Sequence, residues 1–203
     1  MPKLFSYVVE HDRGHAPNPY SGLCTLCRCK YKKYPGKPAN IVEQAEKGDW
    51  IVGTGGANRK RSAGHGKLVY AMRVSEKLTR GQYYRDSRFR KKKPVKNGSY
   101  EEQLGDNKRP RGSFEREQQF VLLSRHFYYF GRKAISFPKK RFPHLEKRGP
   151  GFRKDFDEKF VARFVNWLHS ETRGKRDKIG DPCMKDVEDS PKRTRSKICK
   201  PSC

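Results

Sequence analysis

Residues 11–29 bring together several side chains that can do chemistry. His11 and Asp12 directly follow an apolar stretch and precede a loop that two prolines stiffen, which is a common location for functional groups. An imidazole beside a carboxylate can transfer protons, and a nearby thiol such as that of Cys24 can act as a nucleophile. We therefore predict that His11 and Asp12 form an acid–base pair and that Cys24 is the nucleophile if the protein is an enzyme, a question that the sequence leaves open.

The cysteine spacing offers a metal site as an alternative. The chain has six cysteines, at positions 24, 27, 29, 183, 199 and 203. Cys24, Cys27 and Cys29 could supply three soft ligands, with His11 or His15 as the fourth. Structural zinc usually needs a second ligand pair at a suitable distance, and the three C-terminal cysteines do not form one. We therefore predict no metal site and assign no cofactor; burial of Cys24 and Cys29 as small apolar side chains is the simpler interpretation.

Short apolar segments separated by long polar connections predict the secondary structure. The predicted strands cover 4–9, 49–53, 68–74 and 120–124, and the predicted helices cover 38–47 and 156–171. We expect the strands at 49–53 and 68–74 to pair antiparallel. This order predicts an α+β fold with a small, mainly antiparallel sheet or barrel, flanking helices and a C-terminal helix that closes the core.

The clearest single element is the helix predicted over 156–171. Its apolar side chains recur at three- and four-residue spacing, which places them on one face. Asp155 and Glu158 resemble a capping box at its start. Apolar periodicity is lost toward the C-terminus, so we predict one domain over 1–182 and a flexible basic tail over 183–203.

Net charge is the strongest compositional signal. The chain has 48 Lys and Arg against 22 Asp and Glu, a formal net charge of +26 at pH 7. Such a field attracts polyanions and favours nucleic acid, most simply DNA, as the partner, with an acidic protein as the alternative. The sequence has no apolar run of about 18 residues that could span a membrane and no signal peptide at its N-terminus. We therefore expect a cytoplasmic protein that does not bind membranes.

The middle of the chain holds most of this charge. Residues 80–154 contain 22 basic and 7 acidic side chains, and two of their basic runs are interleaved with phenylalanines. Basic and aromatic side chains together can hold phosphates and stack on exposed bases. The predicted phosphate-binding residues are Arg88, Arg90, Lys91, Lys92, Lys93, Lys139, Lys140 and Arg141. The alternative for each run is a solvated loop with an anchoring phenylalanine.

The glycine-rich stretch Gly53-Thr54-Gly55-Gly56 resembles a phosphate-binding loop. It lacks the Lys-Ser/Thr ending of a P-loop, and no helix is predicted after it. A tight turn, or a backbone that a ligand approaches closely, is the better interpretation of these glycines.

Several motifs of this chain also carry a family resemblance. They are His11-Asp12-x-Gly14-x-Ala16-Pro17-Asn18-Pro19, Cys24-Thr25-Leu26-x-x-Cys29-Lys30, Gly48-Asp49-Trp50-Ile51-Val52-Gly53-Thr54-Gly55, Leu68-Val69-Tyr70-Ala71-Met72-Arg73-Val74, Tyr84-x-Asp86-x-Arg88-Phe89, Gly105-Asp106-Asn107, Val121-Leu122-Leu123-Ser124-x-x-Phe127-x-Tyr129-x-Gly131 and Phe164-x-x-Trp167-Leu168. In that order they resemble the nucleotide modification associated domain 2 (Nmad2) family. The resemblance implies a role with modified bases in DNA, in phage and bacterial modification or restriction systems, but no particular reaction. The region around Trp50 is also similar, more weakly, to the PUA, EVE and ASCH group of small β-barrels, which hold a base or nucleotide in a pocket.

Residues and resemblance together predict a domain that recognises or helps to modify a base in DNA. The predicted base-binding residues are Asn18, Thr25 and Thr54, with Trp50 or Tyr70 stacking on a flipped base. Two alternatives stay open. One is a non-enzymatic protein that binds nucleic acid or an acidic partner by charge alone, and the other is a protein that binds free nucleotides. The sequence does not define the oligomeric state.

Overall fold

The computed structural model describes residues 1–27, 40–93 and 120–184, which form an α+β fold as predicted. The strands are β1 (Leu4–Val9), β2 (Cys24–Leu26), β3 (Trp50–Gly55), β4 (Lys67–Arg73), β5 (Glu76–Thr79), β6 (Phe120–Ser124), β7 (His126–Tyr129), β8 (Ile135–Ser136), β9 (Phe152–Arg153) and β10 (Asp177–Lys178). The helices are α1 (Ile41–Gln44), α2 (Arg80–Arg85) and α3 (Glu158–Glu171), and 3₁₀ turns cover Ser87–Lys92 and Gly131–Lys133.

The larger of the two sheets has the strand order β10-β7-β4-β3-β1-β9, and β8 pairs with β4 off this path. Within it, β1 and β3 pair parallel, with Leu4 opposite Trp50 and Val9 opposite Gly55. β4 pairs antiparallel with β3, which confirms that prediction, and also with β7. The parallel pair puts the carboxyl ends of both strands at one edge of the sheet.

Both faces of this sheet are covered, because alternate side chains of each strand enter different hydrophobic clusters. Phe5, Tyr7 and Ile51 belong to a first cluster, which also contains residues of β2, β6 and α1. Leu4 and Val52 belong to a second cluster, which contains the apolar stripe of α3. Burial on both sides explains why these strands are continuous apolar runs in the sequence rather than alternating ones.

The smaller sheet is antiparallel, with the strand order β2-β6-β5. Leu122 of β6 enters the first cluster, while Val121 and Leu123 face a third cluster that includes Tyr83 and Phe89. The rings of Tyr83 and Phe89 stack with their centroids 4.9 Å apart. Phe89, in the middle of a predicted phosphate-binding run, is therefore a core residue and does not offer its ring to a base.

The C-terminal helix starts later than predicted. Asp157 is its N-cap, and one carboxylate oxygen accepts a hydrogen bond of 2.7 Å from the backbone N–H of Phe160. The prediction that Asp155 caps the helix was wrong by two positions: Asp155 and Asp157 are both suitable N-cap residues, and the helix begins after the second of them. Phe160, Phe164 and Leu168 are buried in the second cluster, as their spacing predicted.

The sheets and the first helix differ in part from the predicted fold. Within the part of the chain that the structure describes, both sheets are open, so the predicted barrel is not observed there. The short helix predicted over 38–47 is seen as Ile41–Gln44, and residues 28–39 lie outside the described range. Of the helices among the described residues, none is long and apolar enough to cross a membrane.

The predicted tail over 183–203 lies almost wholly outside the described residues. Its first two residues are described, and they belong to the folded part. Met184 is 4% exposed, and its backbone N–H donates to the carbonyl oxygen of Asp12 at 3.0 Å.

Gly53 and Gly55 of β3 are required by packing rather than by a turn. A Cβ on Gly53 would lie 2.3 Å from the Tyr70 ring, and one on Gly55 would lie 2.1 Å from the carbonyl oxygen of Gly64. The Tyr70 ring and the Gly64 backbone therefore fill the space that a side chain would occupy at these two positions, and no room is left there for a ligand.

Gly53→Ala should destabilise the fold by roughly 1–3 kcal/mol, the usual cost of overpacking a closed core. Urea unfolding followed by circular dichroism measures the change. Gly81→Ala is the matched control, because a Cβ there meets nothing closer than 3.6 Å and alanine suits the interior of α2. Equal stability of Gly53→Ala and the wild type would show that the Tyr70 ring has room to move.

Candidate functional site

A cleft of about 420 Å³ opens at the edge where β1 and β3 end. Its polar lining consists of Glu10, His11, Asn58, Arg61, His65 and Arg148. The first two follow β1 directly, the next three lie between β3 and β4, and the last precedes β9. The parallel pairing of β1 with β3 brings the residues after β1 close to the residues after β3, because both strands end at the same edge. Ligands of open sheets with parallel strands commonly bind beyond this edge.

Hydrogen bonds tie the loop between β3 and β4 to the end of β1. The Ser62 hydroxyl donates to the carbonyl oxygen of Val9, and the backbone N–H of Asp12 donates to the carbonyl oxygen of Arg61 at 2.7 Å. As a result, Nη1 of Arg61 lies 3.5 Å from Nε2 of His11. A guanidinium fork beside an imidazole presents several hydrogen-bond donors, which suits an anion.

A carboxylate from a distant part of the chain holds His65. Nδ1 of His65 lies 3.0 Å from Oε1 of Glu146, which also accepts from the backbone N–H of Gly66 at 2.9 Å. Oε2 of Glu146 lies 3.2 Å from Nζ of Lys139. Burial opposes ionisation, but the bonds from Gly66 and Lys139 outweigh it and lower the pKa of Glu146. Glu146 is therefore a carboxylate at neutral pH, so Nδ1 of His65 must be the donor in their bond.

Asp12 does not share the environment of His11. His11 is exposed in the cleft, whereas Asp12 is 1% exposed and accepts hydrogen bonds from the Tyr129 hydroxyl and, at 3.1 Å, from the backbone N–H of Cys183. Burial raises the pKa of Asp12, although these bonds oppose the shift. Burial, with the nearby Asp12 charge, also raises the pKa of the Cys183 thiol to about 12. The two members of the predicted acid–base pair thus lie in different surroundings, one at the surface and one in the interior.

Asn18, Thr25 and Lys92 form a buried unit. Asn18 and Thr25 exchange backbone hydrogen bonds of 2.9 Å, and neither is more than 1% exposed. The Lys92 ammonium donates to the side chain and carbonyl of Asn18 and to the carbonyl oxygens of Tyr20 and Leu23. Lys92 is 3% exposed and surrounded by these acceptors, so its ammonium is occupied within the fold, and a phosphate contact by this residue remains a prediction.

The other predicted pocket residues are also buried in the core. Oγ1 of Thr54 donates to the carbonyl oxygen of Tyr7 at 3.2 Å, and the Tyr70 hydroxyl donates to the Tyr7 hydroxyl at 2.9 Å. Trp50 packs in the second cluster, and Cys24 has no exposed surface in the first. Trp50, Thr54, Tyr70 and Cys24 are not part of the cleft lining. Base stacking, base binding and nucleophilic attack by these four residues remain predictions.

Most of the predicted phosphate-binding residues are at the surface. The exposed ones are Arg88, Arg90, Lys91, Lys139, Lys140 and Arg141, and Lys93 is half-buried. Arg88 is held by Glu76 at 3.0 Å and Asp86 at 2.6 Å. Bonds to these carboxylates raise the pKa of Arg88, and the bonds from Arg88 lower that of Asp86. The run 139–141 lies next to the cleft, because Lys139 contacts the carboxylate that holds His65.

The cysteine cluster is only partly described. Cys24 and Cys27 are buried in the first and third hydrophobic clusters, and Cys29 lies outside the described residues. Among the residues that the structure describes, no group of three or more His, Cys, Asp and Glu side chains could hold a metal ion.

Sequence reasoning identifies His11 but misses the rest of the cleft. Arg61 and His65 lie in a stretch that reads as a glycine-rich connection, although a basic cluster directly after a buried strand is a usable signal. Glu146 and Arg148 lie in a basic loop whose sequence gives no link to His65. Glu146 is 81 positions from His65, so only the fold shows that they meet.

The fold and the site define the class of protein: a strongly basic α+β domain with a cleft lined by arginine and histidine. The chain belongs to the nucleotide modification associated domain 2 (Nmad2) family, whose model matches residues 1–119 and 110–189. This confirms the resemblance seen in the sequence motifs. No curated protein and no solved structure matches the chain.

Lys92→Met should lower the free energy of unfolding by roughly 1–3 kcal/mol, because it leaves buried oxygens of Asn18, Tyr20 and Leu23 without their charged donor. Chemical denaturation checks this. Lys91→Met is the matched control, since Lys91 is exposed and its loss should leave stability within about 0.5 kcal/mol. A stable Lys92→Met protein with weakened DNA binding would instead support the original prediction of a phosphate contact.

Asp12→Asn should become more stable relative to the wild type as the pH rises. The pKa of Asp12 is raised in the folded state above its ordinary value of 3.8, so folding favours the protonated carboxyl. The contribution of protonated Asp12 to the free energy of unfolding is complete below the ordinary pKa and is lost as the pH rises through the raised pKa of the folded state. Asparagine is neutral throughout and serves as the reference. Unfolding free energies of both proteins, measured from pH 4 to 8, should diverge in favour of Asp12→Asn; a constant difference would contradict the raised pKa.

Proposed function

We propose that this domain binds a nucleotide unit of DNA in the cleft and recognises or helps to modify its base. The family description, nucleotide modification, supports an association with nucleotides. The observation that carries the proposal is the cleft itself, in which Arg61, Arg148, His11 and His65 border a volume of about 420 Å³. Small-ligand sites commonly measure about 300–1,000 Å³, so a nucleotide is a suitable occupant.

Cationic side chains around the cleft supply the phosphate contacts in this proposal. Arg61 and Arg148 line the cleft, and the exposed residues Lys139, Lys140 and Arg141 extend the cationic surface from the Glu146 carboxylate outward. Arginine binds phosphate through a planar fork, and lysine adds a point charge. Phosphate contacts position a nucleic acid without reading its sequence, so base discrimination needs other groups.

Asn58 and His11 are the candidates for those base contacts. Oδ1 of Asn58 accepts from the backbone N–H of Lys60 at 3.0 Å and of Arg61 at 3.3 Å. The side-chain amide nitrogen is then the group that can donate to a base. A base flipped out of a duplex could enter at the edge where β1 and β3 end, in the manner of a PUA-like reader. Asp12 and Cys24, both buried, are assigned no direct contact with it.

Charge-driven binding is the second candidate, and the net charge of +26 favours it. A protein that only neutralises phosphates loses affinity for all sequences in parallel as salt rises. Base recognition leaves a preference between oligonucleotides that persists at high salt. A free-nucleotide binder would bind mononucleotides as well as it binds oligonucleotides.

Fluorescence anisotropy with short oligonucleotides tests the proposal. The set contains single- and double-stranded DNA with normal or modified bases, together with mononucleotides, at two salt concentrations. We expect a salt-resistant preference for one base that Arg61→Gln and His11→Ala weaken about tenfold or more, a loss of about 1.4 kcal/mol.

Arg163→Gln is the matched control for this measurement, because Arg163 is exposed on α3, outside the cleft lining. It removes the same charge and should change all affinities slightly and equally. Equal, salt-labile binding to every oligonucleotide, with Arg61→Gln no different from Arg163→Gln, would contradict base recognition and establish the charge-driven alternative.

A further inference from the structure

We propose that the cleft hydrolyses a phosphoester of the bound nucleotide, with His65 as the general base and Glu146 as the residue that positions it. This inference rests on the proposed nucleotide site and names its chemistry. It follows from the contacts of His65, from the three hydrogen-bond donors around the half-buried Glu146, and from the arginines in the same cleft.

The His65 imidazole is fixed at one nitrogen and open at the other. Nδ1 donates to the Glu146 carboxylate at 3.0 Å, and the His65 side chain is 42% exposed in the cleft. A neutral imidazole with its proton on Nδ1 carries a lone pair on Nε2. His65 therefore offers a proton acceptor to whatever occupies the cleft.

Glu146 is built to hold one orientation. It is 10% exposed and accepts from three donors, namely Nδ1 of His65, the backbone N–H of Gly66 and the Lys139 ammonium. A surface histidine that merely contacts a ligand needs no half-buried carboxylate behind it. A carboxylate that fixes the tautomer and direction of an imidazole is an arrangement that suits general-base catalysis.

Arg61 and Arg148 supply the second requirement. Both line the cleft together with His65, and guanidinium groups stabilise the charge that builds up on phosphoryl oxygens during transfer. A general base, His65, and two cationic side chains in one cleft suit the attack of water on a phosphorus atom.

The reaction balances with water as the only co-reactant. A water molecule gives one proton to Nε2 of His65 as its oxygen forms a bond to phosphorus. The bond from phosphorus to the ester oxygen breaks, its electron pair stays on the departing oxygen, and that oxygen takes a proton from solvent at the open cleft. The His65 imidazolium then returns its proton to solvent, so the products are an alcohol and a phosphate that has gained one hydroxyl.

Two chromogenic esters test the inference: p-nitrophenyl phosphate as a monoester and the p-nitrophenyl ester of thymidine 5′-monophosphate as a diester. The wild-type protein should release p-nitrophenolate from at least one of them. His65→Asn should lower the rate about 100-fold or more, the usual contribution of a general base. The asparagine amide can still donate to Glu146 in place of Nδ1, so this variant keeps the structural bond and removes only the base.

Three further measurements complete the test. Glu146→Gln should slow the reaction by roughly tenfold or more, because a carboxamide does not fix the imidazole tautomer. Imidazole ¹⁵N chemical shifts should show the proton of neutral His65 on Nδ1 in the wild type, and this preference should be lost in Glu146→Gln. His169→Gln, an exposed histidine on α3, is the matched control and should keep full activity.

The outcomes separate this inference from the proposed function. If neither ester is cleaved, or if His65→Asn stays as active as the wild type, His65 is not a general base here. Saturable binding of thymidine 5′-monophosphate that depends on Arg61 would then still support the nucleotide site. If this binding is absent and Arg61→Gln also leaves oligonucleotide binding unchanged relative to Arg163→Gln, the proposed function is wrong as well, whatever the imidazole shifts show.

Discussion

The parallel pairing of β1 with β3 is the constraint on which the rest of the structure depends. Because both strands run the same way, Val9 and Gly55 end side by side, and the chain must leave the sheet twice at one edge. His11 lies just after the end of β1, and Arg61 and His65 lie in the loop that follows β3. An antiparallel pair would have placed these two segments at opposite edges, and the cleft would not exist.

Burial decides which of the many charges can meet a ligand. Lys92 and Asp12 are both enclosed: Lys92 donates its hydrogen bonds to oxygens of its own chain, and Asp12 accepts one from the Tyr129 hydroxyl. Arg61 and Arg148 line the cleft, where a dissolved anion can reach them. The net charge of +26 therefore overstates the binding surface, since part of it is used inside the protein and part is paired with carboxylates, as for Arg88.

Glu146 links the two parts of the site. Its carboxylate contacts His65 in the cleft and Lys139 at the start of an exposed basic run. The same side chain thus orients an imidazole and connects it with the cationic surface outside. Its low exposure matters, because the interaction of a carboxylate with its partners is weakened less by solvent when it is buried.

The sequence by itself determined the strands over 4–9 and 120–124, the antiparallel pairing of β3 with β4, the amphipathic helix, the family and one cleft residue, His11. These features depend on local periodicity, on composition or on contiguous motifs, which a single chain displays directly. The exact helix cap, Asp157, differed by two positions from the predicted one, because neighbouring aspartates offer nearly equal caps. Only the tertiary structure decided that Asp12 and Lys92 are buried and that Glu146 reaches His65. His65 and Glu146 are 81 positions apart, and a contact over that distance arises from strand pairing and packing. The order of residue types along the chain does not show which of many similar charged side chains will contact a given histidine.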